Sequence, residues 1–375
     1  MGETGMERVV RAEDVAVMGI TEVIRHMPHV YSEYRRLVAA IKARRPTVAV
    51  LIDFPDVNLR LARELKKLGV PVIYFVSPQL WAWKRRRLRW VQERVDRMMV
   101  IFPFEETFYR ARGVAAEFVG HPLAELPLPV ISREEYAAQN GLDAAKEWIA
   151  LLPGSRNKEV KANLSEILRT AGWLQGSRNK PNREYEFLIP IASTVSRELF
   201  QTLISEWKHT FASHDQITPV YLVDDARQAL FHARASVVAS GTATVQAAVI
   251  GNPFVVVYRV SDITFWAAKR LVQYPAEIPA PLDELGNLPI GMVNLIAGRR
   301  VVPELIQERF TAENVASALR PLLEDGPARE QMIADLAEVR AKLRLGAGSS
   351  AIQRVCDAVE GLLPVGSAFI TPGSV

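Results

Sequence analysis

The sequence predicts an α/β protein made of two successive parallel-sheet domains that face each other across a cleft. Three observations point there. Short β-branched apolar runs alternate with helical stretches, the pattern of βαβ units whose strands are covered on both faces. The alternation comes in two series, separated by the proline-rich break Pro127–Ile131. The length, 375 residues, also suits two ordinary domains.

The elements follow in order. Val48–Ile52 (VAVLI) is a short strand ending at Asp53, and Leu59–Leu68 is a helix with Gly69 as its stop signal. Val70–Ser77 and Arg97–Phe102 are further strands, and Phe118–Gly120 is a short one before the turn at His121-Pro122. The second series opens with Trp148–Leu152 and continues with a helix over Lys158–Leu174. Strands follow at Phe187–Ile191, Pro219–Val223, Ser236–Ala239 and Phe254–Tyr258. Gln273–Leu288, rich in proline and acid with no clean period, reads as a loop. Helices then dominate at Thr311–Leu323, Pro327–Leu343 and Ser349–Leu362, and Pro364–Val375 reads as a disordered tail. The expected domains are 1–130, 131–345, and a terminal helix and tail over 346–375.

Composition narrows the function classes. Net charge is +4 and the pI near 9.1, a mild excess that does not argue for nucleic acid. It suits a protein that handles anionic substrates or rests on an anionic membrane. A single cysteine, Cys356, excludes a disulfide scaffold or a zinc knuckle within the chain. No run approaches the roughly 18 apolar residues of a membrane span, so the chain reads as soluble or peripheral.

In open α/β sheets ligands bind beyond the carboxyl ends of the strands, so the residues just after each apolar run carry the functional reading. After the first strand come Asp53, Phe54, Pro55, Asp56, Val57 and Asn58. Either carboxylate can serve as a general base. Asp53 is nearer the strand end, and Asp56 and Asn58 are equally candidates for capping the next helix. After Leu152, Pro153-Gly154-Ser155-Arg156 opens a helix. Glycine permits close approach of a phosphate, the helix start offers N–H donors, and Arg156 can fork onto the anion. Ser240-Gly241-Thr242-Ala243-Thr244-Val245-Gln246 is a second such turn, with Tyr258, Arg259 and Asn294 downstream. Either turn alone could be merely structural; two together favour a diphosphate ligand. His121 after its strand is as well explained by structure as by catalysis. Lys84–Arg89 (KRRRLR), beside Trp81 and Trp83, reads as a nucleic-acid patch, a grip on a phosphate-bearing lipid surface or a solvated helix face, the last being the commonest outcome for a charge run.

At these same segments the sequence resembles the lipid A disaccharide synthase family. The resemblance runs from about Asp14 to about Asp357. It is carried by Ala16–Ile20 with Glu22-Val23, Ile52–Asn58, Tyr74–Trp83, Phe102–Glu105, Phe118–Leu123, Leu151–Arg156 with Glu159, Ala239–Thr244, Tyr258-Arg259, Phe265–Leu271, Asn294–Arg299 and Val302–Leu305. It implies a GT-B type glycosyltransferase fold with a truncated amino-terminal domain, lacking the family's first strand, Gly-Glu-Thr-Ser-Gly-Asp loop and helix. It implies inverting transfer from UDP-2,3-diacylglucosamine to 2,3-diacylglucosamine 1-phosphate, giving a β-1,6 disaccharide, with neither metal nor cofactor. Asp53 would be the base. Gly154, Ser155, Arg156, Ser240, Gly241 and Thr242 would hold the diphosphate. Gln246, where the family often has Glu, would bond the ribose, and Tyr258, Arg259 and Asn294 would add donor contacts. Asp56, Ser77, His121 and Glu159 are further candidates. The Ser77–Trp83 and Phe265–Leu271 strings favour lipid substrates.

The same resemblance places the protein on the cytoplasmic face of the inner membrane, with no nucleic-acid partner; a homodimer is compatible with it. Two rival readings are a donor-binding homologue without turnover, and a UDP-sugar epimerase or another UDP-N-acetylglucosamine transferase of the same fold. An apolar group near the amino terminus (Val17, Met18, Ile20, Val23, Ile24) followed by Arg35, Arg36, Lys42, Arg44 and Arg45 is the expected membrane contact, the alternative being a core-facing helix with a solvated basic side.

Overall fold

The structure is a computed structural model, and it describes residues 7–10, 20–176, 184–211, 218–346 and 348–363. The chain divides into two compact units, 1–120 with 345–375, and 121–344.

The first unit opens with helix α1 (Ile20–Arg44) and then strand β1 (Ala49–Ile52). Helix α2 (Pro55–Lys67) follows at once, with proline in its first turn, where its missing N–H costs nothing. It buries Leu59, Leu61, Ala62 and Leu65. Strand β2 (Val72–Phe75), strand β3 (Arg97–Val100), helix α3 (Pro103–Arg110) and strand β4 (Ala116–Phe118) complete the series. The four strands form a parallel sheet in the order β1-β2-β3-β4. β2 is buried throughout. β1, expected to be a fully buried run, is the edge strand of the described sheet; it buries Leu51 on one face and leaves Val50 and Ile52 exposed on the other.

The second unit holds a six-stranded parallel sheet: β5 (Glu147–Leu152), β6 (Tyr185–Pro190), β7 (Val220–Val223), β8 (Ala235–Ala239), β9 (Phe254–Tyr258) and β10 (Glu304–Ile306). Their order is β10-β9-β8-β5-β6-β7. Helix α4 (Asn157–Gln175) follows β5, and helix α5 (Thr242–Ile250) follows β8. Helix α6 (Asp262–Leu271) follows β9, and residues 272–291 then run without helix or strand, as expected. Helices over Ala312–Leu323 and Pro327–Lys342 close the unit, the first capped by Thr311, whose side chain accepts from Asn314 N. β10 was not expected; three residues are too few for a period.

The first expected boundary moves, and the second, expected at 345/346, falls within one residue, at 344/345. The division falls at 120/121, because His121 N donates to the Leu343 carbonyl (2.8 Å) and Arg344 Nε to the Ala124 carbonyl (2.8 Å), which ties the segment after β4 to the second unit. The last helix, Ala351–Glu360, belongs to the first unit, where Arg354 pairs with Glu117 at 3.3 Å. The tail expected at 364–375 lies outside the described residues, as do Val17 and Met18; of Ile20, Val23 and Ile24 only the backbone is described. No described helix is long and apolar enough to cross a membrane.

Candidate active site

In the first unit the exit of β1 is held by its main chain. Asp53 and Phe54 both take left-handed backbone (φ 46° and 44°), a conformation costly for residues with a Cβ. Asp53 N donates to the Phe75 carbonyl (2.9 Å), which continues the β1–β2 ladder by one residue. The Asp53 carbonyl accepts from the Tyr74 hydroxyl (2.5 Å) and from Asn58 Nδ2 (2.8 Å), and Asn58 also donates to the Ile52 carbonyl (2.9 Å). Burial, with the nearby Asp53 charge, pushes the Tyr74 hydroxyl far above its ordinary range, so it stays a donor. The backbone of Asp53 is thus fixed from three sides while the residue itself is exposed. Asn58 is not a helix cap, since Phe54 occupies that position. The sequence offered Asn58 only as a helix cap and gave Tyr74 no role of its own, because their shared hold on the Asp53 carbonyl depends on the pairing of β1 with β2.

Asp56 is not a spare base. It sits in the first turn of α2, paired with Arg87 and 3.9 Å from Lys84. Burial acts to raise its carboxyl, but the Arg87 hydrogen bond and the charges of Arg87, Lys84 and Arg60 outweigh that and hold it below the usual range. The basic run Lys84–Arg89 is largely engaged within the unit. Lys84 also lies 4.1 Å from the centroid of the Trp83 ring, and Arg89 bonds Glu93 at 2.6 Å.

Ser77 does not face outward. It is buried and donates to Glu105 Oε1 at 2.7 Å, and Trp81 Nε1 donates to the same oxygen at 3.0 Å. Glu105 Oε2 accepts from Phe102 N at 3.3 Å. Burial pushes the Glu105 carboxyl up to about 7, against these donors. The group pins the segment after β2, whose Val76 is also left-handed (φ 62°).

In the second unit the sheet order reverses between β5 and β8, which are direct neighbours. That is the switch point where doubly wound sheets bind ligands. The turns 153–156 and 240–242 leave these two adjacent strands at the same sheet edge, as their sequence pattern required. Gly154 has φ 130°, and a Cβ there would stand 2.6 Å from Glu159 Cβ. The Glu159 carboxylate lies over the start of α4: Oε2 accepts from Ser155 N (3.0 Å) and Oε1 from Arg156 Nη1 (2.7 Å). The Ser155 carbonyl accepts from Thr194 Oγ1 at 2.5 Å. This turn therefore already satisfies a carboxylate of its own. The second turn differs. Gly241 (φ 154°) is the N-cap of α5 without a side-chain cap bond, so the first amides of the helix point outward. Ser240 Oγ donates to the Ile290 carbonyl at 3.4 Å, joining this turn to the 272–291 loop. Gln246 is half-buried, one turn along from Thr242 on the same helix face. Tyr258, half-buried, has a hydroxyl raised by burial and by the Glu159 charge, with Arg156 opposing, which places it beside that pair.

Three expected contacts turn inward. Arg259 donates to the Phe310 carbonyl and lies 4.7 Å from the Phe310 ring centroid. Asn294 is buried and uses both ends of its amide: Nδ2 donates to the Val302 carbonyl (3.0 Å) and Glu304 Oε1 (2.8 Å), and Oδ1 accepts from Val301 N (2.8 Å) and Val302 N (3.0 Å). His121 is buried, and its Nδ1 accepts from Leu123 N at 3.1 Å. Burial pushes the imidazole down to about 4, so it is a neutral helix cap rather than a proton carrier.

The comparisons bear on family and fold. The family model for lipid-A-disaccharide synthetase matches residues 1–358. A lipid-A-disaccharide synthase of Acidobacterium capsulatum is 55% identical over 362 residues, covering 95% of this chain and 85% of its own length. Among solved structures, a glycotransferase of kitacinnamycin superposes with TM-score 0.56 at 16% identity, over 96% of this chain and 88% of that one. A UDP-GlcNAc 2-epimerase from Neisseria meningitidis, bound to UDP-GlcNAc, gives TM-score 0.55 at 10% identity, over 92% and 84%. The two structures share the fold. The chain belongs to the lipid-A-disaccharide synthase family, glycosyltransferases of lipid A biosynthesis.

Proposed function

We propose, on the premise of that membership, that the chain transfers 2,3-diacylglucosamine from its UDP donor to 2,3-diacylglucosamine 1-phosphate, with Asp53 as the base. The observation that carries the assignment is an exposed carboxylate at the exit of β1 on a backbone clamped by Phe75, Tyr74 and Asn58. Asp53 takes the proton of the acceptor 6-hydroxyl. The oxygen attacks the anomeric carbon from the face opposite the diphosphate, the C–O bond to UDP breaks, and UDP leaves with the electron pair. The sugar is therefore inverted to the β-1,6 linkage. The amides opening α5 and the Arg156 guanidinium receive the diphosphate, Arg156 exchanging Glu159 for it. Gln246 and Tyr258 flank that position, whereas Arg259 and Asn294 serve the fold. Both substrates carry acyl chains, so the enzyme works from a bilayer surface, on the cytoplasmic face of the inner membrane where UDP donors are made.

The test is turnover of the UDP donor by Asp53→Ala and Asp53→Asn, with UDP affinity measured by calorimetry. Loss of turnover with affinity kept supports the assignment; near-normal turnover removes Asp53 from the role.

A further inference from the structure

Helix α6 carries its apolar stripe on the outside. None of its residues is buried. Ile263, Trp266, Arg270 and Leu271 recur at the i, i+3, i+7, i+8 spacing of a single helix face. In a core-packed helix that face is covered, yet here Ile263 is 82% exposed, Trp266 57% and Leu271 73%. In the following loop Leu282 (61%) and Leu285 (58%) are exposed as well. These five are a third of the fifteen large apolar side chains exposed among the described residues, so the surface apolarity is concentrated here.

The loop is shaped rather than slack, and it is fastened to the helix. Asp283 accepts from Leu285 N (2.9 Å) and Asn287 N (2.7 Å). Lys269 Nζ, in the last turn of α6, donates to Asn287 Oδ1 (3.1 Å) and to the Leu285 carbonyl (3.4 Å). The Arg270 guanidinium lies 3.7 Å from the centroid of the Trp266 ring, so a fixed positive charge belongs to the apolar face itself. The neighbouring acids Asp262 and Asp283 are bonded within the unit, and Glu284 is exposed.

We propose that this face of the second unit rests on an anionic bilayer, with Ile263, Trp266, Leu271, Leu282 and Leu285 at the headgroup–acyl boundary and Arg270 among the lipid phosphates. An apolar stripe bearing an amphipathic tryptophan and an exposed cation is the composition of an interfacial helix, and its charge complements acidic lipid. The proposal deepens the reading that the substrates are bilayer-resident. It names a contact in the second unit, distinct from the amino-terminal residues 17–24.

The test uses the full chain without substrate, and vesicles of phosphatidylethanolamine with or without phosphatidylglycerol. Binding to the acidic vesicles should fall as salt rises. Ile263→Ser combined with Leu271→Ser should weaken it by at least about tenfold. Arg270→Glu should weaken it on acidic vesicles by several-fold to about tenfold and have no effect on neutral ones. Brominated lipid should quench tryptophan fluorescence in the parent and less in Trp266→Phe. Residues 1–45 contain no tryptophan, so docking through the amino terminus alone would leave quenching unchanged and overturn the proposal. So would serine variants that bind as the parent does, that melt several degrees lower, or that lose self-association while keeping vesicle binding. UDP affinity should be unchanged in every variant. Because vesicle binding is read without turnover, failure of the Asp53 assignment leaves this result standing, and the reverse.

Discussion

The exits of β1 and β2 in the first unit and those of β5 and β8 in the second are shaped in opposite ways. After β1 and β2 the left-handed residues are Asp53, Phe54 and Val76, each with a Cβ; after β5 and β8 the positive-φ residues are Gly154 and Gly241. A non-glycine residue in that region costs about 1–3 kcal/mol and persists only where its surroundings hold it. Here the Tyr74 hydroxyl, the Asn58 amide and the Phe75 carbonyl do so. The difference teaches what each exit presents. The first unit tolerates strain to aim a side chain, while the second uses glycine to bare main-chain amides at a helix start.

The comparison is tested hardest at Asp53. Asp53→Ala should cut turnover by about a hundredfold or more, the usual scale for a general base, and leave UDP affinity within about twofold. Equal losses of both would erase the division of labour between the units.

A comparably large effect is expected from pH, because the units bury ionisable groups of opposite kind. Glu105 is raised to about 7, so the stability it contributes is full below the ordinary glutamate range and is lost as pH rises through 7. His121 is lowered to about 4, so its contribution is full above the ordinary histidine range and is lost as pH falls through 4. Each is worth at most about 3 kcal/mol. Melting curves should show Glu105→Gln flattening the loss between pH 4.5 and 7, and His121→Asn flattening the loss between pH 6.5 and 4. Unchanged slopes would mean that neither group shifts on folding.

At the first turn of the second unit, Arg156→Ala should weaken UDP binding by about ten- to a hundredfold, the range for one charge-assisted contact to a bound anion. Unchanged affinity by calorimetry would assign the diphosphate to the second turn alone.

A smaller effect isolates the strain. Asp53→Gly should be more stable than Asp53→Ala by about 1 kcal/mol, although both are inactive, because glycine accepts φ 46° freely. Equal midpoints in urea would show that the left-handed backbone there costs nothing.

The smallest effect concerns the difference between the two turns. Glu159→Gln removes a carboxylate that competes for Arg156 and Ser155 N, so UDP affinity should rise by about two- to fivefold, the scale of an exposed ion pair. A fall would mean that Glu159 orients Arg156 for the ligand rather than competing with it.

The sequence by itself determined the fold class and the positions of the two glycine turns after β5 and β8. Periodicity separated strands from helices, and Thr311 and Ser350 cap the helices expected to begin near them. Glycine and small hydroxyl residues after β5 and β8 located both turns. Each of these signals depends on residues within a turn or two, so a linear reading recovers it. Tertiary structure decided which polar groups stay available. Asn294 is consumed by Glu304 and by the 301–302 backbone, Arg259 by Phe310, Ser77 by Glu105, and Asp56 by Arg87. Except for Asn294, those partners lie some thirty to fifty residues away, and the buried pair, Ser77 and Asn294, must find partners wherever packing supplies them. Asp53 and Asp56 look alike in the chain. They differ because the fold brings Arg87 against one carboxylate and clamps only the backbone of the other.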